Sequence, residues 1–539
     1  MPVNPAAAAR ENYLLPGQPR WPLDPAKPVI ELIDVSLSFG DKHVLRGLNL
    51  QIVPGVATVI VGRSGSGKSV LLKLMMGLLK PTTGKVLLFG RDVAKVSPVE
   101  MLELRKRMGM LFQNYALFDA LTVEENVGFT LLENSNMPRD RVAVLSGELI
   151  KILGLTGSEK LLPSDLSGGM RKRVSLARAL VANPEVVLFD EPTTGLDPVM
   201  IEKVDEMIVL AKQQYQITSV IISHDMASTK RLADRVAYLH DGQIVFYGDY
   251  DQFTASTLPE IRAFLDGAGT TRLGKDAPVA IGGGAPVAPA PAPHGDIAVE
   301  LVDVYKTFGG KHVLRGINLP IYAKKTTVLI GASGSGKSVI IKHIMGLFKP
   351  DRGQIKVFGK DIVPMQDLEL NEMRKHFGLL FQHAALLDWL DVAGNVAFPL
   401  KERTTLSSGE IKDRVAEILG RLNIADIADR MPGEISEGQK KRVGLARAIV
   451  MKPDIMIYDE PTTGQDPLRT RDIDEMIQTT QQQFDITSIV ISHDMASTFR
   501  IAHMVAMLYQ GEIAAYGTPA EVRASTNPHV QHFIHAGAV

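Results

Sequence analysis

Gly62-Arg63-Ser64-Gly65-Ser66-Gly67-Lys68-Ser69 follows the apolar run Val56–Val61, and Gly331-Ala332-Ser333-Gly334-Ser335-Gly336-Lys337-Ser338 follows Thr326–Ile330. Both stretches fit G-x-x-x-x-G-K-S, and both lead into helical patterns, Val70–Leu79 and Val339–Phe348. The loops stand 269 residues apart (331 − 62). The same interval separates Gln113 from Gln382, Ser167 from Ser436, Asp190 from Asp459 and His224 from His493. A spacing held constant over that length means one domain present twice, with almost no net insertion.

The spacing has a physical use. Glycines let successive backbone N–H groups turn toward one anion, and the helix that follows offers its positive end. Gly62, Ser64, Gly65 and Gly67, with Gly331, Ser333, Gly334 and Gly336, are therefore expected to cradle phosphates. Lys68 and Lys337 would reach the β- and γ-phosphates, and Ser69 and Ser338 would ligate Mg2+. A plain Gly/Ser turn between strand and helix is the bland alternative, here met twice in matching contexts.

Each copy carries further chemistry in the same order. Asp190-Glu191 and Asp459-Glu460 end the apolar runs Val186–Phe189 and Ile455–Tyr458, so both carboxylates emerge at a strand's C-terminal edge. The Asp suits a magnesium contact and the adjacent Glu would orient or deprotonate a water; an acidic turn before Pro192 or Pro461 is the alternative. Gln113 and Gln382 are candidates for magnesium or the lytic water. His224 and His493 follow the buried runs Ser219–Ile222 and Ser488–Ile491, and each would hydrogen-bond a γ-phosphate or serve as a satisfied structural residue. Phe39 and Phe308, ahead of a shared His-Val-Leu-Arg-Gly, would stack on adenine or simply fill a core.

Composition narrows the class. At 539 residues the chain exceeds one ordinary hydrophobic core. A net charge of −1 argues against a nucleic-acid footprint, and the lack of cysteine excludes disulfides and thiolate metal sites. No apolar run approaches the roughly 18–20 residues that span a bilayer, and no signal pattern opens the chain. The expectation is a cytoplasmic protein whose membrane work is done through partners.

Residues 1–28 read as a proline-rich tail, 29–266 as domain one, 267–295 as a Gly/Ala/Pro linker and 296–539 as domain two. The linker composition cannot build a core, and stretched it would reach roughly 90 Å, enough for the domains to meet face to face. Within each domain strands alternate with helices, which implies a largely parallel α/β sheet. Arg171–Arg173 and Lys440–Arg442 are expected to be solvated helix faces. His529, His532 and His535 recur at helical spacing, either as metal ligands or as scattered surface residues.

Leu166-Ser167-Gly168-Gly169-Met170 and Ile435-Ser436-Glu437-Gly438-Gln439 complete the set, and with them the chain resembles the ATP-binding cassette (ABC) family over both repeats. The resemblance implies two tandem P-loop NTPase domains, each a RecA-like α/β core with a β-subdomain and a helical subdomain. It implies ATP hydrolysis with Mg2+, and a head-to-tail pairing of the domains with Asp197 and Asp466 in the crossing loops. Site one would join Lys68, Asp190, Glu191 and His224 with Ser436 and Gly438. Site two would join Lys337, Asp459, Glu460 and His493 with Ser167 and Gly169. Glu437 departs from the family's glycine; its carboxylate would repel the γ-phosphate and weaken site one, or point to solvent.

Leu166–Arg173, Thr463-Gly-Gln-Asp-Pro467, Phe381–Leu387, Asn126-Val127, Asn395–Leu400 and the twin Ser-His-Asp-Met-Ala-Ser-Thr segments resemble the ATPases of Mla/Mce-type lipid transporters. That implies an inner-membrane permease, a periplasmic lipid-binding partner and a lipid cargo. The usual ATPase of that group is a single domain, so a fused pair is a departure. Leu117, Phe118, Leu121 and Phe129, and Leu386, Leu387, Trp389 and Phe398, would form a groove for a permease helix or the core of a helical subdomain; Trp389 is the foremost candidate for a partner contact. The alternatives are the tandem ATPase of a sugar or small-solute importer, or a soluble tandem protein acting on ribosomes, against which a Gly/Ala/Pro linker with few charges counts.

Overall fold

The computed structural model describes residues 24, 27–113, 115–267, 295–382 and 384–536. The expected tail and linker lie almost entirely outside them. Gly267 closes the helix Pro259–Gly267, so the first domain extends one residue past the boundary read from composition.

The first half lays down β1 (Ile30–Phe39), β2 (Lys42–Ile52), β3 (Ala57–Val61), β4 (Thr83–Leu88), β5 (Arg91–Asp92), β6 (Met108–Leu111), β7 (Val186–Asp190), β8 (Thr218–Ile222), β9 (Arg235–His240) and β10 (Gln243–Gly248). They form two sheets, an antiparallel one ordered β2-β1-β4-β5 and a larger one ordered β10-β9-β3-β8-β7-β6. The larger sheet is parallel apart from the β9–β10 hairpin.

The second half repeats the plan with β11 (Ile297–Phe308), β12 (Lys311–Tyr322), β13 (Thr326–Gly331), β14 (Arg352–Val357), β15 (Lys360–Asp361), β16 (Phe377–Leu380), β17 (Ile455–Asp459), β18 (Thr487–Ile491), β19 (Met504–Tyr509) and β20 (Glu512–Gly517). Its sheets run β12-β11-β14-β15 and β16-β17-β18-β13-β19-β20.

The central strands are apolar throughout because both faces are covered; every residue of β3 and β8 is buried. Alternate residues feed different cores. Ile60, Leu188 and Val220 pack with the antiparallel sheet and with Leu71, Leu72 and Met75 of the helix Lys68–Met75. Val59, Val187, Phe189 and Ile221 join the core beneath the helices Val123–Asn134, Arg139–Ile152 and Gly168–Leu180. The larger sheet therefore separates a β-subdomain from a helical one, as the family resemblance implies.

The basic runs are not solvated faces. Lys172 is 2% exposed and Lys441 is 4% exposed. Lys172 Nζ donates to the Thr194 carbonyl at 2.9 Å, and Lys441 Nζ donates to the Pro461 carbonyl. Each ammonium turns inward because the loop beyond the acidic pair offers it a carbonyl, and burial pushes Lys172 down to about 7 and Lys441 to about 8. The histidines of the helix Pro528–Ala536 hold no metal set; His529 stacks on Tyr509 at 4.1 Å, and no His/Asp/Glu cluster with metal geometry occurs among the described residues.

Candidate functional site

Strand order builds the site. Along the C-terminal edge of the larger sheet, β6 delivers Gln113, β7 Asp190-Glu191, β8 His224 and β3 the loop ending in Lys68. Ligands of open α/β sheets sit at that edge. Residues 51 to 162 positions apart in sequence are thus brought to one sheet edge, and the second half does the same with Gln382, Asp459-Glu460, His493 and Lys337 (for the first half, 113 − 62 = 51 and 224 − 62 = 162).

The glycine loops are tight. A Cβ on Gly62 would lie 2.3 Å from the Leu239 carbonyl, and one on Gly331 would lie 2.2 Å from that of Leu508. Gly67 and Gly336, at φ 105° and 111°, cap the following helices in the left-handed region that suits glycine. Lys68 Nζ donates to the carbonyls of Gly62 (2.7 Å) and Arg63 (2.9 Å), and Lys337 Nζ to those of Gly331 (2.7 Å) and Ala332 (3.0 Å). The lysines are thus bent back over their own loops, with the charge kept at the cradle. Burial lowers both, Lys337 to about 8, against the nearby carboxylates.

Glu191 and Glu460 sit at φ 49° and 50°, left-handed backbone that a glutamate adopts at a cost. Strain held at the same place in both halves marks a fixed carboxylate. Glu191 Oε2 accepts from Gln113 Nε2 (3.1 Å) and Thr194 Oγ1 (2.9 Å), with His224 Nδ1 3.5 Å from Oε1. Glu460 accepts from Thr463 Oγ1 (3.2 Å) and lies 2.6 Å from His493 Nε2. Burial pushes the Glu191 carboxyl up, but the His224 bond and charge, Thr194 and Lys68 outweigh it and hold the group at about 2. Glu460 is lowered by the same balance with His493 and Lys337. The sequence assigns no site role to Thr194, and names Thr463 only within a family motif, although the two stand 269 apart (463 − 194).

The donor set fits a magnesium-bound triphosphate. Asp190 Oδ1, Ser66 Oγ and Ser335 Oγ are buried without a hydrogen-bond partner, and unmet polar atoms at such a depth call for a ligand. Asp190 and Asp459 are raised by burial and by the adjacent glutamates. Phe39 and Phe308 are 52% and 41% exposed rather than core, Phe308 meeting Phe348 edge-on at 5.5 Å.

The halves meet head to tail. Asp466 Oδ2 accepts the Ser64 N–H at 2.9 Å, and Asp197 Oδ2 accepts that of Ser333 at 2.8 Å. Each aspartate also caps the helix that follows it. The C-terminal helix of each half continues the exchange. Gly267 packs against Pro467, and the helix Pro528–Ala536 lies along Pro198–Tyr215. A cavity of about 160 Å3 remains at the seam, lined by His224, Asp225, His493 and Asp494 among others.

Ser167 and Ser436 cap the helices Gly168–Leu180 and Glu437–Ile449, accepting from Met170 and Gln439. Glu437 is turned along its helix to Lys440, 2.7 Å away, with a half-exposed side chain. That matches the solvent-facing alternative for this residue. Of the expected groove residues, Leu117 and Leu386 pack on the helical cores, whereas Phe118, Phe398 and above all Trp389 (73% exposed) stay open.

A family model described as "ABC transporter" matches residues 45–194 and again 314–463. The chain is 30% identical over 524 residues to the glutathione import ATP-binding protein GsiA of Escherichia coli (strain K12), covering 88% of this chain and 83% of that one. It is 28% identical over 589 residues to the oligopeptide transport ATP-binding protein OppD of Mycobacterium tuberculosis, covering 92% and 96%. Over 257 residues it is 41% identical to the protein TRIGALACTOSYLDIACYLGLYCEROL 3, chloroplastic, of Arabidopsis thaliana, covering 44% of this chain and 74% of that protein.

Proposed function

The chain belongs to the ABC transporter family, as an ATP-binding protein that hydrolyses ATP to drive transport, and on that premise we propose that it is the fused motor of an importer with two composite ATP sites. The observation that carries the two composite sites is the reciprocal contact in which each half's aspartate, Asp197 or Asp466, holds the other half's phosphate loop.

In the reading proposed, Lys68 or Lys337 leaves its loop carbonyls for the β- and γ-phosphates, while the loop N–H groups and helix end neutralise the rest. Ser69 with Asp190, and Ser338 with Asp459, would hold Mg2+, which supplies further neutralising charge; Gln113 and Gln382 stand beside it. Glu191 and Glu460, ionised at neutral pH, orient the attacking water and accept its proton. His224 and His493 fix the carboxylates and reach toward the γ-phosphate. Ser167 with Gly169, and Ser436 with Gly438, close each site from the opposite half. Catalysis then rests on positioning and charge, without a covalent intermediate.

No helix among the described residues is long and apolar enough to cross a membrane, and ABC ATP-binding proteins work with transmembrane permeases. The apolar surface at Phe381, Trp389 and Phe398, echoed by Phe112 and Phe118 in the first half, is the proposed docking face for that permease on the inner side of the membrane. Buried Asn126 and Asn395 brace it, each holding the preceding loop through hydrogen bonds to Phe118 and Leu121 or to Leu387 and Leu390.

For the cargo, two relatives matched over most of both halves carry names of oligopeptide and glutathione transport, which supports a small-solute importer. The Mla/Mce-type lipid reading drawn from the motifs, with its periplasmic lipid-binding partner, has one observation in its favour: the 41% identical relative bears the name of a glycolipid. ATPase activity of the chain reconstituted with its own permease decides between them. Stimulation by a peptide such as glutathione, with none by lipid, supports the first reading; lipid transfer or co-purifying lipid, with no response to peptide, supports the second.

A further inference from the structure

The two seams are not built alike. By the interval of 269, Arg469 corresponds to Met200, Arg63 to Ala332 and Asp472 to Lys203 (each pair differs by 269: 469 − 200, 332 − 63, 472 − 203). At the first loop, both backbone groups of Ser64 are held from the opposite half. Asp466 Oδ2 accepts its N–H at 2.9 Å, and Arg469 Nη2 donates to its carbonyl at 3.4 Å. Arg469 Nε also lies 3.6 Å from the same Asp466 oxygen, which closes a ring of contacts around the backbone of one residue. Asp472, on the same helix, lies within range of the Arg63 charge, though it feels Glu475 and Arg442 more strongly.

At the second loop only half of this exists. Asp197 holds the Ser333 N–H at 2.8 Å. Met200 has no donor for the Ser333 carbonyl, and its methyl group lies 2.3 Å from where a Cβ on Gly169 would sit. Ala332 and Lys203 offer no counterpart to the opposed charges of Arg63 and Asp472.

We propose that Arg469 is a positioning residue for the first ATP site alone, locking the Ser64 backbone from across the seam so that nucleotide leaves that site more slowly than the second. The inference rests on the composite-site reading above. A guanidinium suits the task because its planar fork meets the Asp466 carboxylate and the Ser64 carbonyl at once, which an ammonium cannot do with the same fixed geometry. The seam at site one then stays clasped while the seam at site two opens, and the halves swing about the first site. Glu437, already tied to Lys440, is not needed to make the sites unequal.

The test uses the full chain carrying Glu191→Gln and Glu460→Gln, loaded with labelled ATP and Mg2+ and chased with unlabelled ATP. Release in two phases of similar amplitude is expected. Arg469→Met should speed the slow phase about tenfold, the loss of one charge-assisted hydrogen bond, and leave the fast phase alone. Arg469→Lys should recover part of the slow phase at low salt, and Met200→Arg should slow the fast phase. A slow phase unchanged by Arg469→Met, an equal acceleration of both phases, or a single phase in the parent chain would overturn the proposal. Failure of the parent chain to retain two ATP molecules would count against the composite sites themselves, and the proposal would fall with them. Should Arg469→Met not fold, Arg469→Lys at rising salt reads the same phase, and indifference to salt overturns the proposal.

Discussion

At the scale of single residues, the account turns on Glu191 and Glu460. Each occupies left-handed backbone, each is bonded by a threonine three positions on, and each is faced by a histidine from the next strand. Such a carboxylate is fixed before substrate arrives, which is what a water-positioning group requires. Glu191→Gln or Glu460→Gln is expected to cut phosphate release by about a hundredfold or more at the altered site, while ATP still binds. Equal ATP affinity with unchanged turnover would remove both glutamates from the chemistry. Most of this constellation was legible in the sequence, because the chemistry demands residue types at strand ends and the interval of 269 shows them twice. The threonines were not legible, since a hydroxyl three residues past a glutamate is common and only the bend after β7 aims it back. For Glu437 the sequence left two readings open, and only the helix register that pairs it with Lys440 separates them.

At the scale of elements, the helices that follow Ser167 and Ser436 are tied to the crossing loops by buried lysines. A run of three basic residues reads as a solvated face, and that expectation failed because the middle residue is aimed at a carbonyl by helical geometry: Lys172 finds Thr194, three residues before Asp197. A lysine pushed down to about 7 by burial stays largely neutral in the fold at pH values where the unfolded chain still binds a proton. Stability conferred by this site therefore rises with pH from about 7 toward the ordinary lysine range, and does not change below it. Lys172→Met is expected to flatten the rise in the urea midpoint between pH 7 and pH 10. An unaltered slope would mean the ammonium keeps its charge in the fold. The exposed rim held by Asn395 gives a second expectation: Trp389→Ala should leave ATP hydrolysis by the isolated chain intact and weaken permease binding roughly tenfold or more, as loss of an aromatic anchor does. Undiminished binding in a pull-down would place the permease elsewhere.

At the scale of the whole molecule, one repeated domain has become a closed pair. The number of domains, their α/β plan and the order of their parts follow from the spacing of the motifs. The seam does not, because Arg469 and Met200, or Arg63 and Ala332, acquire meaning only when it is known which residues face each other across it. Fusing the halves lets those facing residues diverge, a freedom that two identical chains lack. Each half also sends its last helix onto the other, Gly267 against Pro467 and Pro528–Ala536 along Pro198–Tyr215, so the halves are joined by more than the phosphate loops.

Whether each ATP is shared between the halves can be read from the structure of the chain carrying Glu191→Gln and Glu460→Gln with ATP and Mg2+. Two ATP molecules are expected, one between the Lys68 loop and the Ser436 turn, the other between the Lys337 loop and the Ser167 turn. Two ATP molecules each enclosed by one half alone, with Ser167 and Ser436 remote from any phosphate, would contradict it.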